Sequence, residues 1–174
     1  MLRWLLDVPG IALVSITLAV SACAPERHVL PGSPNVRYEL HEWPKGSVTV
    51  AVEDARPKRT NDPEELVRMV KTIVTEALAT AQRPGGPPEE LRIAIRDHEV
   101  FLKERRWNGF TRLRADLTKG GRLVKSWDAF GEDRRWDRRW YALPSFFDAE
   151  DSLQTAFERA MDDLMGKLAR RPSP

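Results

Sequence analysis

Two well-separated stretches of the chain carry the same one-sided apolar stripe, and that match constrains the fold more than any other feature. Residues 63–82 set Leu66, Val67, Val70, Ile73, Val74, Ala77, Leu78 and Ala81 at helical spacing. Leu153, Ala156, Phe157, Ala160, Met161, Leu164 and Leu168 repeat the pattern near the C-terminus. A helix with one apolar face must bury it, and two such helices need a common apolar partner, which a sheet face supplies. The boundaries are marked chemically. Asn61 or Asp62 can cap the first helix, with Pro63 at its first position and Glu64 and Glu65 in its first turn. Asp148 can cap the second helix. Arg83 to Pro88 stops the first, and Arg170-Arg171-Pro172 stops the second.

The sheet is legible as alternation. Val48, Val50 and Val52 alternate with more polar neighbours, as do Leu91, Ile93 and Ile95, and then Leu113, Ala115 and Leu117. Gly120-Gly121 predicts a tight turn into a further strand, Arg122 to Phe130, whose apolar parity is less regular. Val36 to Leu40 adds a weaker candidate strand. Strand 47–53, helix 63–82 and strand 91–96 predict a right-handed βαβ crossover, which makes the sheet mixed. The expected fold is therefore α+β: a two-layer sandwich with a mixed sheet of about five strands and two helices on one face, forming a single domain over 36–171. With 41% hydrophobic and 31% charged residues and a net charge of +2, the composition is ordinary for a globular domain and does not favour nucleic acid.

Ahead of that domain the N-terminus has three parts. A short segment carries Arg3, an apolar run extends from Ile11 to Val20, and small residues lead to Cys23, the sole cysteine. Ten residues rise only about 15 Å as a helix, roughly half the hydrocarbon thickness of a bilayer, so the run is too short for a stable span. Val20-Ser21-Ala22-Cys23 resembles the lipobox of bacterial lipoproteins. The resemblance implies cleavage between Ala22 and Cys23 (a signal peptide over 1–22), diacylglycerol on the Cys23 sulfur, and acylation of the new amino terminus by a chain such as palmitate. Residue Ala24, rather than aspartate, follows the cysteine, which by the same resemblance implies the outer membrane, periplasmic side, of a two-membrane cell, or the cell membrane where there is one. Residues 23–35 then hold the lipidated cysteine and a proline-rich tether.

Val48 to Arg56, read as Val-x-Val-x-Val-x-Asp-x-Arg, together with the strand–Gly-Gly–strand–Trp run from Leu113 to Trp127, resembles the YajG-like envelope lipoproteins. That likeness implies an envelope lipoprotein and transfers no catalytic residue.

The polar residues offer few chemical constellations. Asp54 and Arg56 end a strand, where they can form either a site or a strand-closing ion pair. Asp97-His98-Glu99 has the composition of a metal or acid–base cluster, but residues alternate across a strand, so Asp97 and Glu99 are expected to face away from His98. His28 and His41 are not placed to complete it. There is no phosphate-binding glycine loop and no nucleophile elbow, so no metal, cofactor or catalytic residue is expected.

One segment is unusual. Glu132 to Trp140 contains Asp-Arg-Arg-Trp twice in tandem, giving Arg134, Arg135, Trp136, Arg138, Arg139 and Trp140 as a candidate contact surface. If helical, the two tryptophans fall four apart on one face. Arginine beside tryptophan suits anionic, partly apolar partners such as lipid head groups or acidic glycans. The alternative is that the tryptophans pack on the sheet rim and the arginines pair with Asp133 and Asp137. The expected function is that of a lipid-anchored envelope protein with a binding, assembly or accessory role toward envelope proteins, anionic lipid or glycan. The alternatives are an envelope hydrolase acting on glycan or lipid, and an accessory subunit of a transporter or secretion complex.

Overall fold

The computed structural model describes residues 38, 40, 47–57, 63–79, 86–137 and 146–170. The signal-like segment, Cys23, the tether, most of the candidate strand 36–40, His28, His41, Asn61, Asp62, Arg138, Arg139 and Trp140 lie outside the described residues.

The element order is β1 (Val48–Asp54), α1 (Pro63–Ala79), β2 (Glu89–Lys103), β3 (Arg106–Lys119), β4 (Arg122–Trp136) and α2 (Phe146–Ala169). The strands form one sheet in the order β1-β2-β3-β4. β1 runs parallel to β2, with Val50 opposite Leu91 and Val52 opposite Ile93, and the other two pairings are antiparallel. The sheet is therefore mixed and α1 is the crossover. Four strands are described where about five were expected. Of the candidate strand 36–40 only Tyr38 and Leu40 are described, and Leu40 is buried in the core.

Both helices cover one face of the sheet. Leu66, Val70, Val74 and Leu78 of α1 and Phe157, Met161 and Leu164 of α2 share a single cluster with Val50, Leu91, Ile93, Ile95, Leu113 and Leu117. The other face has no layer over it among the described residues. A smaller cluster, Val100, Trp107, Ala149 and Leu153, extends the packing toward the β2–β3 hairpin under the start of α2.

Three departures from simple alternation organise this face. In β2 the register shifts between Ile95 and Asp97, so the helix-facing series Leu91, Ile93, Ile95 continues as His98 and Val100. One extra residue reverses parity, because side chains alternate with period two. In β4 the register shifts opposite Leu117 and Thr118, which explains the irregular pattern of Arg122 to Phe130. Beyond that shift Trp127, Ala129, Gly131 and Asp133 face the helices, while Leu123 and Val124 are exposed. The third departure is glycine. A β-carbon on Gly131 would lie 2.5 Å from the Ala160 amide nitrogen and closer still to the Ala156 carbonyl oxygen. One on Gly109 would lie 2.8 Å from the Leu153 nitrogen. Helix α2 thus rests directly on two strand glycines.

The β3–β4 turn uses Gly120 and Gly121, both at positive φ, as the sequence predicts. The β2–β3 turn places Glu104 (φ 52°) and Arg105 (φ 61°) in the same left-handed region, where a side chain is disfavoured.

Candidate functional site

The first Asp-Arg-Arg-Trp, Asp133 to Trp136, is strand. β4 continues through Trp136, with Arg106 opposite Trp136, Trp107 opposite Arg135 and Asn108 opposite Arg134. Strand geometry separates neighbours that a helix would group. Arg134 and Trp136 face the open side of the sheet, and Arg135 faces α2. The helical alternative does not hold for Asp133 to Trp136, because β3 offers these residues an antiparallel partner. Each backbone group paired across a strand ladder is one a short, charged, isolated helix would have to satisfy alone.

Arg135 is engaged from three directions. Its Nε donates to Asp133 Oδ2 (2.7 Å), Nη1 to Asp151 Oδ2 (3.1 Å) and Nη2 to Thr155 Oγ1. It ties the end of β4 to the first turns of α2, so its guanidinium is committed to the scaffold. Asp133, nearly buried, also receives Arg159 Nη1 at 3.1 Å. Beneath them the buried Ser152 hydroxyl accepts the Gly109 N–H (2.9 Å) and donates to the Asp133 carbonyl (3.1 Å).

Arg134 and Trp136 are different. Arg134 is exposed, with an ion pair to Glu132. Trp136 is 61% exposed, and the Arg106 guanidinium lies 4.3 Å from its ring centroid. The Asp137 amide donates to the Arg105 carbonyl (3.0 Å), which continues the pairing of β4 with the β2–β3 hairpin. Arg106 was not legible as part of this surface from sequence, since only the strand register brings it to Trp136. Further along the open face Phe110 and Phe130 meet edge to face, with centroids 4.7 Å apart. Cross-strand and same-strand ion pairs, Arg112–Asp97 and Arg114–Asp116, surround them. The Ser126 hydroxyl, donating to Asp116, together with Arg114, holds the Asp116 carboxyl below its usual range.

The outer edge of β4 is clipped by α2. The Phe130 N–H donates to Asp163 Oδ2 (3.1 Å), Lys167 Nζ donates to the Asp128 carbonyl (2.6 Å), and Arg159 donates to the Glu132 carbonyl. Residues spaced i, i+4 and i+8 on one helix face satisfy alternate outward groups of the strand, which covers an edge that would otherwise template pairing with another chain.

The remaining polar candidates do not form one cluster. Asp54 and Arg56 make a two-pronged pair, Nε to Oδ1 at 2.9 Å and Nη2 to Oδ2 at 2.7 Å, with the Arg56 amide adding a bond to Oδ1. Both side chains are almost fully buried, which makes this a strand-closing ion pair. Asp97 meets Arg112 on the open face. His98, on the opposite face, is buried beneath α2, with Nδ1 at 3.1 Å from Thr111 Oγ1 and its ring edge-on to Phe157. Asp97 and His98 thus stand on two sides of the sheet, as strand alternation requires. No group of three or more His, Cys, Asp or Glu suited to a metal occurs among the described residues, and no described helix is long and apolar enough to cross a membrane.

No protein-family model and no curated protein matches the sequence. Solved structures with a similar arrangement include protein XCC0632 from Xanthomonas campestris, of family DUF330. That match has 16% identity and a TM-score of 0.48 and covers 79% of this chain and 97% of that one. A candidate lipoprotein from Caulobacter crescentus matches at 13% identity and a TM-score of 0.45, over 70% of this chain and 93% of that one. Lipoprotein GNA1162 from Neisseria meningitidis matches at 11% identity and 0.38, over 51% and 83%. At these scores the likenesses carry no argument about activity or partner.

Proposed function

We propose that this chain is a lipid-anchored cell-envelope protein whose folded domain binds or assembles with envelope components rather than catalysing a reaction. The observation that carries the reading is Val20-Ser21-Ala22-Cys23 following the apolar run, with a proline-rich stretch between that cysteine and the domain. The packing supports the non-catalytic half of the reading. Asp54 and Arg56 neutralise each other in a buried pair, His98 sits beneath α2, and Arg135 fastens a strand to a helix. These four residues, the described ones that most suggest chemistry, are each engaged in packing the fold. The contact surface is the Arg/Trp end of β4, with Arg134 and Trp136 on the open face and Arg138, Arg139 and Trp140 following in sequence. Ala24 after the cysteine favours the outer membrane where there are two.

Intact mass and N-terminal analysis of the protein from its native envelope tests the anchor. The expected product begins at a triacylated Cys23 and partitions into detergent, and Cys23→Ser abolishes both. An unmodified Cys23 still preceded by residues 1–22 would refute the reading.

A further inference from the structure

Five of the eight large apolar side chains exposed among the described residues occupy one end of the domain: Phe101, Leu102, Trp136, Phe146 and Phe147. Their placement follows from the pairings. Leu102 is opposite Trp107, and Trp136 is opposite Arg106. Ala149 and Leu153 of α2 pack on Val100 and Trp107, so the helix begins at this same end. Phe147, 70% exposed, is the most exposed of the eight. Three elements contribute: a hairpin, a strand end and a helix start.

The basic residues are at the same end. Lys103, Arg105 and Arg106 are all exposed around the β2–β3 turn, alongside the acidic Glu104 and Asp137, the latter paired through its amide to the Arg105 carbonyl. Arg106 stacks on Trp136. The turn itself is strained. Glu104 and Arg105 hold the left-handed conformation that Gly120 and Gly121 supply without side chains at the opposite end of the sheet.

We infer that this end is a bilayer-contact surface for anionic phospholipid, with Leu102, Phe146, Phe147 and Trp136 entering the head-group region inside a basic collar. Aromatic and aliphatic tips carried on separate projecting elements fit a soft interface, and the collar complements anionic head groups. The inference rests on the anchored reading for its nearness to a membrane, and the reach is sufficient. Tyr38 lies beside Asp162 and Glu158 of α2. From there to Phe147 is about 22 Å along the helix, whereas residues 24–37 extend to roughly 45 Å. The domain can therefore lay this end on the leaflet that holds its own anchor.

The test uses the full anchored chain in vesicles of phosphatidylcholine with and without phosphatidylglycerol. A lipidated Cys23 offers no thiol, so Leu102→Cys, Phe147→Cys and Val124→Cys can each take one environment-sensitive fluorophore; Val124 marks the far end of the sheet. The expected result is blue-shifted emission, and quenching by bilayer-embedded spin-labelled lipid, at 102 and 147 but not at 124. The effect should require phosphatidylglycerol and fall several-fold in Lys103→Gln/Arg105→Gln/Arg106→Gln. Equal, water-like emission at all three positions, or quenching strongest at 124, overturns the inference. Labelling of the parent chain at Cys23 would instead show that the anchored reading has failed. The same scan on a Cys23→Ser chain, tethered to the vesicle through an added N-terminal hexahistidine and a nickel-chelating lipid, then still decides whether this end touches lipid.

Discussion

Gly131→Ala adds one methyl group, and the structure makes it one of the most damaging single changes available. The new carbon would stand 2.5 Å from the Ala160 nitrogen and nearer still to the Ala156 carbonyl oxygen. Both are backbone atoms, which no rotamer change can move, so α2 must retreat from the sheet by about 1 Å or more to restore ordinary contact. A gap of that size forfeits about a quarter to a half of each facing contact. Leu153, Phe157, Met161 and Leu164 are fully buried on that face, each contributing about 1.5–3 kcal/mol. The expected loss is therefore about 2–5 kcal/mol, a large share of a typical stability of about 5–15 kcal/mol. Urea denaturation followed by circular dichroism reads it as a lower midpoint. Gly121→Ala is the control: nothing lies within 4 Å of its added carbon, so it costs only the left-handed backbone conformation, about 1 kcal/mol. Ala156→Gly should not rescue Gly131→Ala, because the obstruction is backbone. If the two glycine variants lose similar stability, or if Ala156→Gly restores the first, close seating of α2 is not what Gly131 provides.

The other expectations concern named polar contacts. Asp54→Ala leaves the Arg56 guanidinium buried without its carboxylate and should cost about 3–5 kcal/mol, read by the same denaturation; a loss under about 1 kcal/mol would mean the pair is solvated. Arg135→Gln removes bonds to β4 and α2 and should lower stability by about 1–3 kcal/mol, whereas Arg134→Gln, whose pair is exposed, should change it by less than about 1 kcal/mol. Equal effects would contradict the division of the two arginines between sheet faces. Glu104→Gly/Arg105→Gly should raise stability by about 1 kcal/mol through relief of positive φ, read as a higher urea midpoint, while weakening binding to phosphatidylglycerol vesicles. Ser126→Ala should move the Asp116 titration up toward the ordinary carboxylate range in an NMR pH series. Because its folded value is depressed, Asp116 stabilises above the unfolded carboxylate range and loses that contribution as pH falls, so the variant should show a weaker acid dependence.

Sequence and tertiary structure divide the information at identifiable residues. Local patterns determined the elements. The stripes of α1 and α2, the valine alternation of β1 and the Gly120-Gly121 turn each depend on neighbours a few residues away, and the βαβ order together with the need of two stripes for one face sufficed for the two-layer fold. Of helix 63–82 the residues to Ala79 are described and helical, and β2 and β3 run well past the alternation that announces them. Their extensions lie where bulges or charged residues interrupt the period. Long-range pairing decided what local pattern could not. Asp-Arg-Arg-Trp repeated at four residues has the period of a helix, yet β3 supplies the first repeat with a ladder, and the ladder sends Arg134 and Trp136 to one face and Arg135 to the other. The bulge near Arg96 turns His98 into the core, and no property of residues 95–98 alone announces which parity will prevail. Gly109 and Gly131 read as weak strand positions in sequence and become the seat of α2 only once the helix lies across them. Phe101, Leu102, Phe146 and Phe147 look like stray apolar residues until the hairpin and the helix start are brought to one end. The physical reason is common to all of these: a residue's type fixes what it can contact, and only the register of strands more than ten residues apart fixes what it does contact.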